Sequence, residues 1–154
     1  MKTYIFKHSL LGVILGLSIL GCTEGDKFDY NKNMAFITGT ETTPVTKFVV
    51  EDTPSSYAVT ASTTDKVDKD VNVKFAIDRS LVETYNNEHN TKYYAIPEGA
   101  VTLEDADAVI QAGKAFSTPA TVKVISTEDF AEGRVYVVPV TMVEVDGLEI
   151  LKPS

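Results

Sequence analysis

The one cysteine of the chain, Cys22, ends a segment typical of an exported, lipid-modified bacterial protein. Lys2 and Lys7 lead into an apolar stretch from about residue 10 to residue 20, and small Gly21 directly precedes the cysteine. This stretch is shorter than the roughly 20 apolar residues that a transmembrane helix needs. Acylation would also explain a lone thiol in an exported protein. The pattern predicts a lipoprotein signal peptide over residues 1–21 and lipidation of Cys22. The alternative is an ordinary secretory signal with an incidental cysteine.

Aromatic and amide side chains concentrate in one stretch of the mature chain. A sugar ring stacks through its C–H face on an aromatic ring, and tyrosine combines a flat apolar face with a polar tip. This concentration supports the hypothesis of a glycan-binding site formed by Tyr85, Asn86, Tyr93 and Tyr94. The competing interpretation is structural. Tyr85 lies at helical spacing from Leu81 and would pack in the core, and Tyr93 or Tyr94 would cover the helix.

Three aspartates form the best sequence candidate for a metal site. Asp65, Asp68 and Asp70 fall in a predicted loop between two strands, and Ca²⁺ takes oxygen ligands from such loops. Lys66 and Lys69 interleave the three acids, and the spacing does not fit an EF-hand. These lysines favour the interpretation of a solvated loop, and we expect no metal or other cofactor.

The residue types needed for catalysis are scarce. Nucleophilic catalysis requires a nucleophile, a base and an orienting group, but His89 is the one histidine after residue 21 and no Gly-x-Ser-x-Gly motif occurs. Zinc sites need three or four ligands, mostly His or Cys. The chain contains no tryptophan and is short for a glycosidase. We therefore expect a protein that is not an enzyme.

The net charge of the chain excludes some classes of binding partner. Of its 14 basic residues, two lie in the predicted signal peptide, so residues 22–154 carry 12 basic and 22 acidic residues, a net charge of −10. Such acidity argues against nucleic acid, which binds to basic patches. It also argues against attachment to anionic lipid through protein charge. Membrane attachment would come from the acyl chains, of which more than one is needed for stable anchoring.

The mature chain is long enough for one domain. Residues 22–33 are polar and acidic and are predicted to form a flexible tether, and residues 34–154 to form the folded domain. Within that domain, apolar residues alternate from Val71 to Ile77, a period of two that predicts a half-buried strand. The run from Val135 to Val145 is apolar on both faces and is predicted to be the most central strand. Pro139 cannot donate to a strand ladder, so we expect an edge position or a bulge there.

Further patterns complete the predicted elements. Shorter alternating runs surround Phe48 and Val50, Tyr57 to Ser62, and Val122 to Val124, and turn residues separate them. The residues Glu104 to Asp107 are predicted to form a loop before a short strand over 108–111. Several short strands at such spacing favour a β-sandwich.

One segment predicts a helix. Ser80 and Glu83 have the spacing of a capping box, in which each side chain satisfies a backbone N–H of the other residue. A short helix is therefore predicted from about Leu81 to Glu88. We expect it to lie across one end of the sandwich.

The layout of these segments is similar to that of a known family. The segments that carry the likeness are Val73–Asp78, Leu81–Asn86, Tyr93–Pro97, Ile110–Gly113, Thr121–Val124 and Tyr136–Val140. Together they resemble a domain of unknown function found near the N-terminus of Bacteroidetes surface lipoproteins. The resemblance covers about residues 30–145 and implies an all-β, immunoglobulin-like β-sandwich with one short helix. In that family the domain often precedes a chitinase-like glycoside hydrolase or a lectin-like module.

These observations predict a non-catalytic protein of the cell envelope, lipid-anchored at the outer membrane or cell surface. It would serve as a spacer or interaction module in polysaccharide utilisation, the setting that the resemblance implies. Its partners would be the membrane, through the lipid, and glycans or envelope proteins. The alternatives are a glycan-binding, adhesin-like protein and the truncated N-terminal part of a surface glycoside hydrolase.

Overall fold

The computed structural model describes residues 32–40 and 44–151. The predicted signal peptide, Cys22 and nearly all of the tether lie outside these residues. The described residues form eleven strands and one helix: β1 Met34–Ile37, β2 Ser55–Val59, β3 Ala61–Thr63, β4 Val71–Ile77, α1 Leu81–His89, β5 Tyr93–Ala95, β6 Val101–Glu104, β7 Asp107–Ile110, β8 Ala120–Val124, β9 Val135–Val137, β10 Val140–Val145 and β11 Glu149–Ile150.

The strands form small sheets with the orders β11-β1-β3, β10-β4-β7, β2-β8-β6 and β5-β9. Most pairings are antiparallel, and two, β1 with β11 and β5 with β9, are parallel. The segment after β7 links two of the sheets, because Phe116 bridges β3 and Ser117 bridges β7. The prediction of an all-β, immunoglobulin-like sandwich with one short helix is confirmed.

The strand β4 is the centre of its sheet, as its alternation requires. Val71, Val73 and Phe75 are buried, whereas Asn72 and Lys74 are exposed. One face of β4 therefore lines the core, and the other faces solvent beside β10 and β7.

The prediction that the run from Val135 to Val145 is the most central strand is wrong. The run divides into β9 and β10, and β10 lies at an edge of the β10-β4-β7 sheet. Proline has no N–H to donate, and Pro139 lies between the two strands, where its carbonyl oxygen accepts a hydrogen bond from the N–H of Asp78 (2.9 Å). An edge position or a bulge was expected at Pro139: the strand that follows it is an edge strand, and a bulge occurs farther along, between Met142 and Glu144.

Two other strand predictions need correction. Residues 44–50 have no regular secondary structure, although Phe48 and Val50 pack against a core cluster. The run from Tyr57 to Ser62 breaks at Thr60, whose carbonyl accepts a hydrogen bond from the N–H of Thr38 (2.9 Å). The break lets β2 and β3 enter different sheets.

The acidic segment between β6 and β7 is a tight turn rather than a longer loop. The strand β6 extends to Glu104 and β7 starts at Asp107. Asp105 has a φ of +53°, a left-handed conformation that aspartate adopts more readily than most residues. The turn passes the chain from the β2-β8-β6 sheet to the β10-β4-β7 sheet.

Two clusters of buried side chains form the core. The first joins β1, β3, β4, β7, β8 and β10, with Phe75 and Ile110 as its largest fully buried side chains. Alanines at 35, 61, 108 and 120 are also buried there, which lets the sheets approach closely. The second cluster joins β6 and β8, through Val101, Val122 and Val124, to Ile96. Val59 and Val140 pack against both clusters and connect them.

The helix α1 extends one residue beyond the prediction, but its start is not a capping box. The Ser80 side chain makes no hydrogen bond to the helix. Instead, the N–H and hydroxyl of Ser80 both donate to Oδ1 of Asp78, at 3.0 Å and 2.6 Å. The carboxylate that stabilises the start of this helix is therefore that of Asp78, which is not a position of the capping box. At the other end, Asn90 adopts a left-handed conformation and donates its N–H to the carbonyl of Asn86.

The nine residues of α1 are too few to cross a bilayer, and no other helix occurs in the described part of the chain.

Candidate glycan-binding surface

The pairing of β5 with β9 determines the faces on which two tyrosines of the predicted glycan-binding site lie. Tyr93 is paired with Val135 and Tyr94 with Tyr136 in a parallel register. Successive side chains of a strand point to opposite faces, and paired residues share a face. Tyr93 and Tyr94 therefore lie on opposite faces of this small sheet. They do not form the single binding surface that the sequence predicted.

The first face packs against α1. The rings of Tyr85 and Tyr93 are stacked with their centroids 6.0 Å apart, and the ring of His89 lies 4.2 Å from that of Tyr85. Tyr85 and Tyr93 are half-buried. These two tyrosines attach the helix to β5. Tyr93 therefore covers the helix, as the structural interpretation expected, whereas Tyr85 is half-buried and belongs to neither core cluster.

Asn86 is committed to the backbone of the loop that follows the helix. Its Oδ1 accepts hydrogen bonds from the hydroxyl of Thr91 (2.8 Å) and the N–H of Tyr93 (2.9 Å), and its Nδ2 donates to the carbonyl of Tyr93 (2.9 Å). An amide has two donors and two acceptor positions. Three of these four are used, so the side chain has little capacity left for a ligand.

The second face carries an aromatic cluster that reaches solvent. The rings of Phe130 and Tyr136 are stacked at 4.4 Å, and Tyr136 is tilted against Tyr94 at 6.1 Å. The guanidinium carbon of Arg134 lies 4.5 Å from the centre of the Tyr94 ring. Tyr94 is 42% exposed and Arg134 is exposed. We call these four residues the Tyr94 surface.

The Tyr94 surface is continuous with the second core cluster. Ile96 continues β5 beyond Ala95, because its N–H donates to the carbonyl of Val137 (3.0 Å). Ile96 is buried, and Phe130 and Val138 pack against the same cluster. The exposed end of the surface is thus supported by buried side chains, which fixes the positions of its rings.

Three members of this surface, Phe130, Arg134 and Tyr136, were absent from the predicted site. They follow Tyr94 by 36, 40 and 42 residues in the sequence, and only the parallel pairing of β5 with β9 brings them together. A local pattern could not have found them. The single available signal was the aromatic and basic content of the segment before β9.

The three aspartates that form the best sequence candidate for a metal site do not converge. Within residues 32–40 and 44–151, no three His, Cys, Asp or Glu side chains form a group that could hold a metal ion. Asp65 and Asp70 instead accept hydrogen bonds through Oδ1 from the N–H of Lys66 (2.7 Å) and of Ala112 (2.8 Å). The aspartates stabilise the loop before β4, and Asp68 is exposed.

A groove of about 290 Å³ crosses the exposed face of the β10-β4-β7 sheet. Its polar side chains mostly satisfy one another. Nδ2 of Asn72 donates to Oδ2 of Asp146 (2.7 Å), and Nζ of Lys74 lies 4.0 Å from Oδ1 of Asp107. The groove has no aromatic lining, so it lacks the stacking surface that the Tyr94 surface provides.

The chain is similar to domains of larger Bacteroides proteins. The model of a family of N-terminal domains matches residues 30–149. A candidate carbohydrate binding protein from Bacteroides ovatus is 20% identical, with a TM-score of 0.61 over 68% of this chain and 30% of that chain. A multidomain protein from Bacteroides ovatus (14% identity, TM-score 0.54) is matched over 71% of this chain and 41% of that chain.

A two-domain protein of unknown function from Bacteroides fragilis is 13% identical, with a TM-score of 0.54 over 80% of this chain and 43% of that chain. These three likenesses concern the fold, and the chain matches 30% to 43% of the length of those solved proteins. No curated protein matches the chain significantly.

Proposed function

The chain belongs to this family of N-terminal domains, as the sequence resemblance predicted, and from that membership we propose that it is a non-catalytic module of surface glycan capture. In this role the domain is held at the cell envelope by a lipid on Cys22. It supports or positions a partner that handles the glycan. Its partners are the membrane, through the lipid, and glycans or other envelope proteins.

Family membership over residues 30–149 is the observation that carries this proposal. Domains of this fold occur as a part of larger Bacteroides proteins, one of which is described as a candidate carbohydrate binding protein. A fold alone does not define a function, but an N-terminal domain of a larger protein is expected to support the module next to it in the chain.

The proposal of a lipid anchor is supported by the residues that precede Cys22. The basic and apolar segment before Gly21 and Cys22 provides a signal for export and acylation. Because the protein is acidic, its charge would repel an anionic membrane surface. The acyl chains would supply the attachment, and residues 22–33 would give the domain its reach.

Direct glycan binding is the second candidate function, and the Tyr94 surface favours it. Tyr94 is 42% exposed, and the guanidinium of Arg134 supplies hydrogen-bond donors beside its ring. Flat aromatic rings with a few polar groups are typical of sites that bind sugar rings. Tyr85, Tyr93 and Asn86 would then act as supports of this surface rather than as ligand contacts.

A deletion strain tests the module role. Cells that lack the chain are expected to grow more slowly on the polysaccharide whose capture it supports, and at the normal rate on glucose. Wild-type protein is expected to restore growth, and Cys22→Ala protein is not. Normal growth of the deletion strain on every polysaccharide offered would contradict the proposal.

Affinity electrophoresis separates direct binding from a spacer role. The full chain is run in gels that contain host or plant polysaccharides, beside Tyr94→Ala and Tyr57→Ala. Tyr57 is a matched control because it is 39% exposed but lies on β2. Direct binding predicts retardation that Tyr94→Ala loses and Tyr57→Ala keeps. The absence of retardation with every polysaccharide would exclude direct binding and leave the spacer role.

A further inference from the structure

We propose that Arg134 and Tyr94 form a site for one acidic sugar residue, whose carboxylate or sulfate group binds Arg134 while its ring contacts Tyr94. The inference rests on the glycan-binding form of the proposed function and specifies the chemical class of the ligand. It is carried by the arrangement of the Arg134 guanidinium, which is held in place by an aromatic ring and has no protein acceptor among the described residues.

The guanidinium of Arg134 is available to a ligand. It lies 4.5 Å from the centre of the Tyr94 ring, and within the described residues it takes part in no salt bridge and no side-chain hydrogen bond. Glu128, Asp129 and Glu132 belong to the same loop, yet none of them lies within ion-pair distance of it. Arginine has five N–H donors in a planar fork that matches a carboxylate or a sulfate. An arginine that lies over an aromatic ring and has unused donors is therefore available to an anionic group.

The loop that carries Arg134 is fixed by its own contacts. The ring of Phe130 is stacked on that of Tyr136 at 4.4 Å, and the N–H of Ala131 donates to the Tyr136 hydroxyl (3.0 Å). In the next turn of the chain, the N–H of Arg134 donates to the carbonyl of Ala131 (3.3 Å) and Gly133 has a φ of +75°. A loop that is already ordered loses less entropy when a ligand binds.

The charge of the molecule limits the ligand to a single acidic group. The whole chain has a net charge of −8, and three carboxylates share the loop with Arg134. Their combined field repels a polyanion. A neutral oligosaccharide that ends in one acidic sugar avoids most of this repulsion, and it can place its charged group on Arg134 and its neutral rings against the exposed part of Tyr94.

Ligand-observed NMR titration of the full chain in detergent provides the test. The probes are a disaccharide that ends in glucuronate, the same disaccharide with a sulfated terminal sugar, and the neutral glucose-terminated counterpart. We expect at least one charged probe to bind roughly twofold to fivefold more tightly than the neutral one, because an ion pair with an exposed arginine contributes about that much. The preferred charged probe identifies the acidic group.

Three variants identify the role of the arginine. Arg134→Ala is expected to abolish the preference for the charged probe, and Arg134→Lys to retain only part of it, because lysine keeps the charge but lacks the planar fork. Lys114→Ala removes the same charge from an exposed turn outside the Tyr94 surface and is expected to leave the preference unchanged. Far-ultraviolet circular dichroism checks that each variant is folded.

The outcomes separate this inference from the proposed function. Equal binding of the charged and neutral probes, or a preference that survives in folded Arg134→Ala, would overturn the acidic-sugar site and leave glycan binding intact. Binding of none of the three probes by a chain that is retarded by a neutral polysaccharide would have the same meaning. Failure with all probes and all polysaccharides would overturn the site together with direct glycan binding.

Discussion

The side-chain amide of Asn86 holds the backbone of Tyr93 by two hydrogen bonds that run in opposite directions. Oδ1 accepts from the N–H of Tyr93 and Nδ2 donates to its carbonyl, both at 2.9 Å. This clamp joins the last turns of α1 to the first residue of β5. It therefore fixes the start of the strand that carries both Tyr93 and Tyr94.

Replacement of Asn86 by alanine tests the clamp. We expect Asn86→Ala to lower the free energy of unfolding by about 1–3 kcal/mol, because part-buried backbone groups lose their partners. Asn87→Ala is the control, since Asn87 lies on the same helix and gains the same helix propensity. Urea denaturation measures both variants. Equal midpoints for the two would show that the clamp contributes nothing.

A second prediction concerns the core under the β10-β4-β7 sheet. Phe75 is 2% exposed, whereas Phe116 is 62% exposed. Phe75→Ala should cost about 3–5 kcal/mol of unfolding free energy, because it removes buried area and leaves a cavity. The same substitution at Phe116 should change the stability by less than about 0.5 kcal/mol. A comparable loss at both positions in thermal or urea unfolding would be inconsistent with this core.

The start of α1 gives a third prediction. Asp78 accepts two hydrogen bonds from Ser80, and the Ser80 side chain makes none to the helix. Asp78→Ala should therefore destabilise the protein by about 1 kcal/mol, which is typical for the loss of a helix cap. Ser80→Ala should cost less. A capping box would make Ser80→Ala the more destabilising change. A larger loss of unfolding free energy for Ser80→Ala than for Asp78→Ala in chemical denaturation would therefore contradict this prediction.

The sequence predicted those features that depend on local periodicity. The alternation from Val71 to Ile77 identified β4 and its buried face, because a period of two within one strand determines which face is buried. The helix α1 was predicted to within one residue at its end, although the capping box from which it was inferred does not form.

Features that depend on distant parts of the chain were missed. Hydrophobicity on both faces suggested a central strand from Val135 to Val145, but Pro139 divides the run, and each half pairs with a different sheet. The parallel pairing that places Tyr136 beside Tyr94 joins residues 42 positions apart. No local pattern records such a pairing, so the exposed aromatic surface with Arg134 could be found only in the folded structure.

Lipidation of Cys22 is the step on which the proposed role at the cell envelope depends most directly. The test is metabolic labelling with radioactive palmitate, followed by fractionation, of cells that produce the wild-type chain or Cys22→Ala. We predict a labelled wild-type protein in the membrane fraction and an unlabelled variant that leaves it. A wild-type protein that carries no label, or that stays in the cytosol, would contradict the account.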